Sequence, residues 1–74
     1  MTPHEVVELK NGCQRIVADP TFAVVFDLMR KNYMAEILAT DAGQSEVREL
    51  LYNAAKGLDA LEMQIDNFAN GDIV

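Results

Sequence analysis

A chain of 74 residues with a formal net charge of −6 has room for one small domain. Its six Lys and Arg residues are scattered along the sequence, which argues against direct nucleic-acid binding. Half of the residues are hydrophobic, which excludes wholesale disorder, and the single cysteine, Cys13, excludes a disulfide framework. A domain this small buries little apolar surface alone, so we expect residues 1–74 to form one domain that self-associates.

The N-terminal segment predicts a short helix over about residues 3–18. Thr2 can cap the helix, Pro3 suits its first position, and Glu5 lies three residues after the cap, which together form a capping box. Gly12 falls inside the segment and predicts a break or a frayed turn, because glycine weakens a helix interior. The apolar residues that share one face at helical spacing are Val6, Leu9, Cys13, Ile16 and Val17.

A second helix is predicted over about residues 20–39, with Asp19 as its N-cap and Pro20 in its first turn. One apolar stripe consists of Phe22, Phe26, Met29, Tyr33 and Ile37. A second apolar side is broadened by Val24, Leu28, Ala35 and Leu38. So wide an apolar surface is expected to be covered by more than one neighbour.

A third helix is predicted over about residues 45–69, after a polar turn at residues 40–44. Either Asp41 or Ser45 can cap it, and Gly71 suits a left-handed C-cap. The turn is too short for anything but antiparallel neighbours, so residues 19–70 should form a helical hairpin. Residues 1–18 would then be an N-terminal helix or arm, and residues 71–74 a flexible tail.

The third helix carries an apolar repeat of 3.5 residues, which is typical of a helix that keeps one seam against a partner. We expect this seam to face the second helix, with Ala54 and Gly57 where the helices come closest. Ile65 and Phe68 should project past the hairpin, to be covered by the N-terminal helix or by a second subunit. The seam consists of Val47, Leu51, Ala54, Leu58, Leu61, Ile65 and Phe68.

The surface for a second subunit or partner is expected mainly on the flanks of this seam and at its small residues. The flanking residues hint at a second contact surface, and an interfacial tyrosine could be a hot spot. The candidate interface residues are Leu50, Tyr52, Ala54, Gly57, Leu61, Met63, Ile65, Phe68 and Tyr33.

No residue pattern predicts catalysis, a cofactor or a metal. His4 has only Glu5 and Glu8 nearby, and Cys13 has no neighbouring base, so we expect a surface histidine and a small buried hydrophobe. A composite enzyme site across subunits, built from these residues and carboxylates, is the weakest alternative. One carboxylate cluster at helical spacing, read as a solvated face, consists of Asp59, Glu62 and Asp66.

About two thirds of the chain resembles a known group of proteins. The matching pattern comprises Asp19-Pro20-x-Phe22, Tyr33 and Ile37, the turn Thr40-Asp41, Glu46-x-Arg48-Glu49-Leu50-Leu51-Tyr52, and Leu58-Asp59-Ala60-Leu61-Glu62. It is similar to small helical-hairpin proteins of unassigned role that are encoded near the head and packaging genes of tailed bacteriophages. The resemblance implies an accessory or assembly protein and assigns no catalytic residue.

The leading hypothesis is therefore an all-α, non-enzymatic phage protein that acts by self-association and protein–protein contact. The alternative is a small acidic inhibitor or regulator of a host protein, which would bind through the anionic end that follows Lys56. A lone cysteine and the lack of about 20 consecutive apolar residues fit the host cytoplasm, or a virion, and no membrane.

Overall fold

The computed structural model describes residues 1–73, and these residues form three α-helices and no strand. The helices are α1 (Pro3–Ala18), α2 (Pro20–Ala39) and α3 (Ser45–Ala69). The predicted all-α class and the predicted helix bounds are confirmed.

The capping box at the start of α1 is present. The Glu5 N–H donates to the Thr2 hydroxyl at 3.2 Å, and the Thr2 N–H donates to the Glu5 carboxylate at 3.2 Å. The predicted break at Gly12 is wrong, because α1 continues through it. The buried Cys13 beside it packs into the fold, and tertiary packing of this kind outweighs the helix propensity of a single residue.

Asp19 is the only residue between α1 and α2, and it serves both helices. Its N–H donates to the Ile16 carbonyl at 3.2 Å and closes α1. Its carboxylate accepts from the Thr21 N–H at 2.9 Å and caps α2, as predicted. The two helices therefore share one capping residue.

The turn before α3 differs from its prediction. Neither Asp41 nor Ser45 caps the helix; the N-cap is Gln44, which makes no side-chain cap bond. The Asp41 carboxylate instead accepts from the Gly43 N–H at 3.1 Å, and the Asp41 N–H donates to the Gln44 side chain at 3.0 Å. The side chains of Asp41 and Gln44 thus bond within the turn and leave the first turn of α3 without a side-chain cap.

The end of α3 is a Schellman motif centred on Gly71, whose φ is 89°. The Gly71 N–H donates to the Phe68 carbonyl at 3.0 Å, and the Asp72 N–H donates to the Asn67 carbonyl at 2.9 Å. The first two residues of the predicted flexible tail are therefore hydrogen-bonded to the helix, and Val74 lies outside the described residues.

All three helices pack against one another. The α2–α3 pair is antiparallel, since Thr40 at the end of α2 accepts from Arg48 at the start of α3 at 2.9 Å. Helix α1 packs on the far end of α3, where the Gln14 side chain donates to the Ala69 carbonyl at 3.0 Å. Ile65 and Phe68 are half-buried there, so the N-terminal helix covers them, the first of the two predicted alternatives.

The three helices form a flat molecule. The Cα atoms extend 52 × 25 × 12 Å, so the molecule is long and thin. The buried apolar residues are few, and they are Cys13, Phe26, Leu58 and Ala69.

The seam of α3 is rotated from its predicted position. Four of the seven predicted residues are buried or half-buried, and they are Leu51, Leu58, Ile65 and Phe68. Val47, Ala54 and Leu61 are exposed, and Leu61 keeps 54% of its surface accessible. The residues that actually form the seam, at alternating steps of three and four, are Arg48, Leu51, Ala55, Leu58, Glu62, Ile65 and Ala69.

Polar contacts between the helices accompany the rotation. Arg30 of α2 pairs with Glu62, and Arg48 donates to Thr40 and to the Asp41 carbonyl. Both α3 residues face α2 in these contacts, and the more apolar row faces outward. The prediction that the helices come closest at Gly57 is also wrong within this chain, since a Cβ added there would meet nothing within 4 Å.

Candidate interaction faces

The α2–α3 hairpin presents two different faces to solvent. On one side Ala39 and Val47 line a shallow groove between the helices. On the other side Ile37 and Tyr52 line the corresponding groove. Because residues three and four apart lie on the same side of a helix, each pair defines a face that can be followed along the hairpin.

The face that contains Ala39 and Val47 is apolar. Its uncharged members are Val25, Met29, Asn32 and Ala39 of α2, and Val47, Leu50, Ala54, Gly57 and Leu61 of α3. All nine are exposed, and Leu50 keeps 71% of its surface accessible. Glu36 is the one carboxylate on this face, because it lines the same groove as Ala39 and Val47.

The opposite, charged face is organised by Arg30. Its Nε donates to Asp59 at 2.7 Å, its Nη1 donates to Asp27 at 2.9 Å, and its Nη2 pairs with Glu62. The hydrogen bond that Arg30 donates to Asp59, helped by the charge of Glu62, raises the pKa of the Arg30 guanidinium above its ordinary value. One permanent cation thus joins α2 to two carboxylates of α3.

The rest of the charged face lies along α3. The Lys56 ammonium sits 5.1 Å from the centre of the Tyr52 ring, a cation–π distance. Met63 and Asp66 continue this face toward the C-terminus, and both are exposed. Two carboxylates of the predicted acidic cluster, Asp59 and Glu62, are already paired with Arg30.

The structure separates the predicted interface residues into three groups. Leu50, Ala54, Gly57 and Leu61 lie together on the apolar face. Tyr52 and Met63 lie on the charged face and cannot join the same flat contact. The remaining three are half-buried against the chain's own helices, and they are Tyr33, Ile65 and Phe68.

The α2 side of the apolar face was missed as an interface by sequence reasoning. Met29 was recognised as part of an apolar stripe, but it was not grouped with Leu50 and Leu61. The usable signal was the uncharged repeat of Val25, Met29 and Asn32 at steps of four and three. That signal indicates an interaction face only when the adjacent α3 residues, Val47 to Leu61, are known to be exposed.

The candidate chemical residues do not converge on a site. His4 pairs through Nε2 with Glu8 at 3.1 Å on an open surface, and the Cys13 thiol is buried and free. Within residues 1–73, no group of three His, Cys, Asp or Glu side chains is placed to hold a metal ion. In the same part of the chain, no helix is both long and apolar enough to cross a membrane.

Comparisons of the chain with models of protein families, with curated proteins and with solved structures find no match. The resemblance to phage hairpin proteins therefore stays a prediction, based on the residues that carry it.

Proposed function

We propose that this protein is a non-enzymatic helical module that works by self-association and protein–protein contact. The observation that carries the proposal is the surface left uncovered by the single chain. Its accessible surface is 5509 Å² at 8.2 kDa. A compact monomer of that mass exposes about 4,500 Å², from the scaling of surface area with mass.

The shape supports the same proposal. The radius of gyration is 16.1 Å, whereas a compact chain of this length has about 11 Å. The excess surface of about 1,000 Å² is similar to the ~800 Å² that each partner contributes to a standard protein interface. Much of the exposed area is contributed by large apolar side chains such as Leu38 and Leu50. Association would bury such surface and stabilise the fold.

The biological setting that we propose is bacteriophage particle assembly, either as an accessory component of the virion or as an assembly protein in the host cytoplasm. The support is the sequence resemblance described above, together with a hairpin architecture of the kind it implies. The acidic-inhibitor alternative is the weaker one, because it needs free carboxylates at Asp59 and Glu62 and Arg30 already pairs with both.

Sedimentation equilibrium over about 1 to about 100 µM tests the self-association. We expect a discrete oligomer, and a urea unfolding midpoint that rises with protein concentration, because association stabilises the folded chain by mass action. A monomer that unfolds cooperatively at the same midpoint over the whole range would contradict the proposal. Mass spectrometry of purified virions and a pull-down from infected cells then test the phage setting.

A further inference from the structure

The two faces of the hairpin differ enough to assign the contact. We propose that a second copy of this chain docks on the apolar face, with the two α3 helices crossing at Ala54 and Gly57. This assignment rests on the proposed self-association and specifies its geometry. The charged face stays in water.

The first argument is the distribution of charge. The chain carries a net charge of −6, so two copies repel unless they meet where the charge is absent. On the apolar face the five α3 residues are uncharged and Glu36 is the one carboxylate on the α2 side, whereas Asp27, Asp59 and Asp66 share the opposite face. A two-fold axis brings the same surface of both copies together, so it favours the uncharged α3 side of the apolar face.

The second argument is the shape of α3 on this face. Val47 and Leu50 project from the N-terminal half of α3 and Leu61 projects from its C-terminal half, and all three are exposed. Ala54 and Gly57 lie between them, and the space beside Gly57 is open to 4 Å. Two helices that cross there approach closely, while the larger side chains of each pack around the backbone of the other.

The third argument is area. The surplus surface of about 1,000 Å² per chain is enough for one standard interface of ~800 Å² per partner. Val25 of α2 lies on the same face and is exposed, so the contact can extend beyond α3. A bilayer surface is the less suitable occupant, because an apolar face that binds membranes is normally flanked by Lys and Arg, whereas this one carries Glu36.

A matched pair of single substitutions tests the assignment by sedimentation equilibrium. Ala54→Glu puts a carboxylate at the proposed crossing, and Met63→Glu puts the same charge on the opposite face. Both side chains are exposed, so both variants should keep the helical circular dichroism of the natural chain. We expect Ala54→Glu to raise the dimer dissociation constant on the order of 100-fold or more, because the two-fold symmetric interface would bury two unpaired carboxylates, one from each copy. Met63→Glu should leave it within about threefold.

A cross-linking experiment supplies a second readout that does not depend on affinity. In a Cys13→Ala background, Gly57→Cys should form a disulfide-linked dimer on mild oxidation, because the crossing places two copies of this position together. Met63→Cys in the same background should remain uncross-linked. A cross-link at Met63 and none at Gly57 would overturn the assignment.

The outcomes separate the two proposals. A natural chain that is a folded monomer overturns both the self-association and its geometry. A natural dimer that tolerates Ala54→Glu, whether or not Met63→Glu dissociates it, overturns the apolar-face assignment alone, and self-association stands. Co-sedimentation of the monomer with anionic or zwitterionic vesicles would assign the apolar face to a lipid surface. It would equally overturn the proposal that a second copy of the chain docks there.

Discussion

Leu58 and Leu61 are three residues apart on α3 and belong to the same predicted seam, yet the structure gives them opposite roles. Leu58 is 7% exposed and packs in the core, whereas Leu61 is 54% exposed on the apolar face. Replacing each by alanine therefore gives a direct test of the rotated seam.

The expected cost of Leu58→Ala follows from its burial. Removing a buried leucine side chain costs about 2–5 kcal/mol, and more when the surroundings cannot close around the cavity. In a molecule this flat, water and neighbouring side chains reach the site easily, so we expect about 2–3 kcal/mol. That is a large part of the roughly 4–11 kcal/mol that a chain of this length has in total. It should lower the melting temperature by on the order of 10–20 °C.

Urea unfolding followed by circular dichroism, at about 1 µM and about 100 µM protein, separates the two positions. Leu58→Ala should lose stability at both concentrations. Leu61→Ala should lose less than about 0.5 kcal/mol at the lower concentration, where the chain is alone, and more at the higher one. Equal losses for both variants at the lower concentration would refute the rotated seam and restore the predicted one.

Three further predictions concern single features of the fold. Gly71→Ala should lower the free energy of unfolding in urea by about 1 kcal/mol, because the φ of Gly71 is 89°. Gly12→Ala should raise it by roughly 0.5–1 kcal/mol, because Gly12 lies inside α1 and its surroundings have room for a methyl group. Equal effects of the two substitutions would contradict these backbone conformations. Arg30→Met should lower the urea midpoint slightly, because it removes ion pairs that are largely open to solvent, and adding Glu62→Met should recover part of the loss. A double variant less stable than the single would contradict a coupled pair. The Cys13 thiol should react with an aromatic disulfide only at the rate of unfolding, and fast labelling of the folded chain would contradict its burial.

The helix bounds were predictable because the signals that set them are local. Thr2 with Glu5, Asp19 with Pro20, and Gly71 each act on backbone groups within a few residues. The turn before α3 was predictable in position but not in detail. Its polar side chains have several backbone partners within reach, and the choice between them depends on the closed turn.

The rotation of α3 was not predictable from its own sequence. Apolar spacing alone favours Ala54 and Leu61 in the seam. Glu62 faces α2 instead, and its partner there, Arg30, is 32 residues away in the chain. The interface candidates share this uncertainty, because a residue can be assigned to the outer surface only after the inner one is known. Half of the apolar face was therefore found, and its α2 half was not.

Because only Asp19 separates α1 from α2, the rotation of α1 about its own axis is fixed relative to that of α2. Each residue added to a helix turns it by about 100° about its axis. One insertion just before Asp19 would therefore swing Cys13 away from α3 and into water, since no slack exists to absorb the turn. The turn at residues 40–44 has several residues over which to distribute such a change. Length variation in this chain is consequently tolerated at one connection and forbidden at the other.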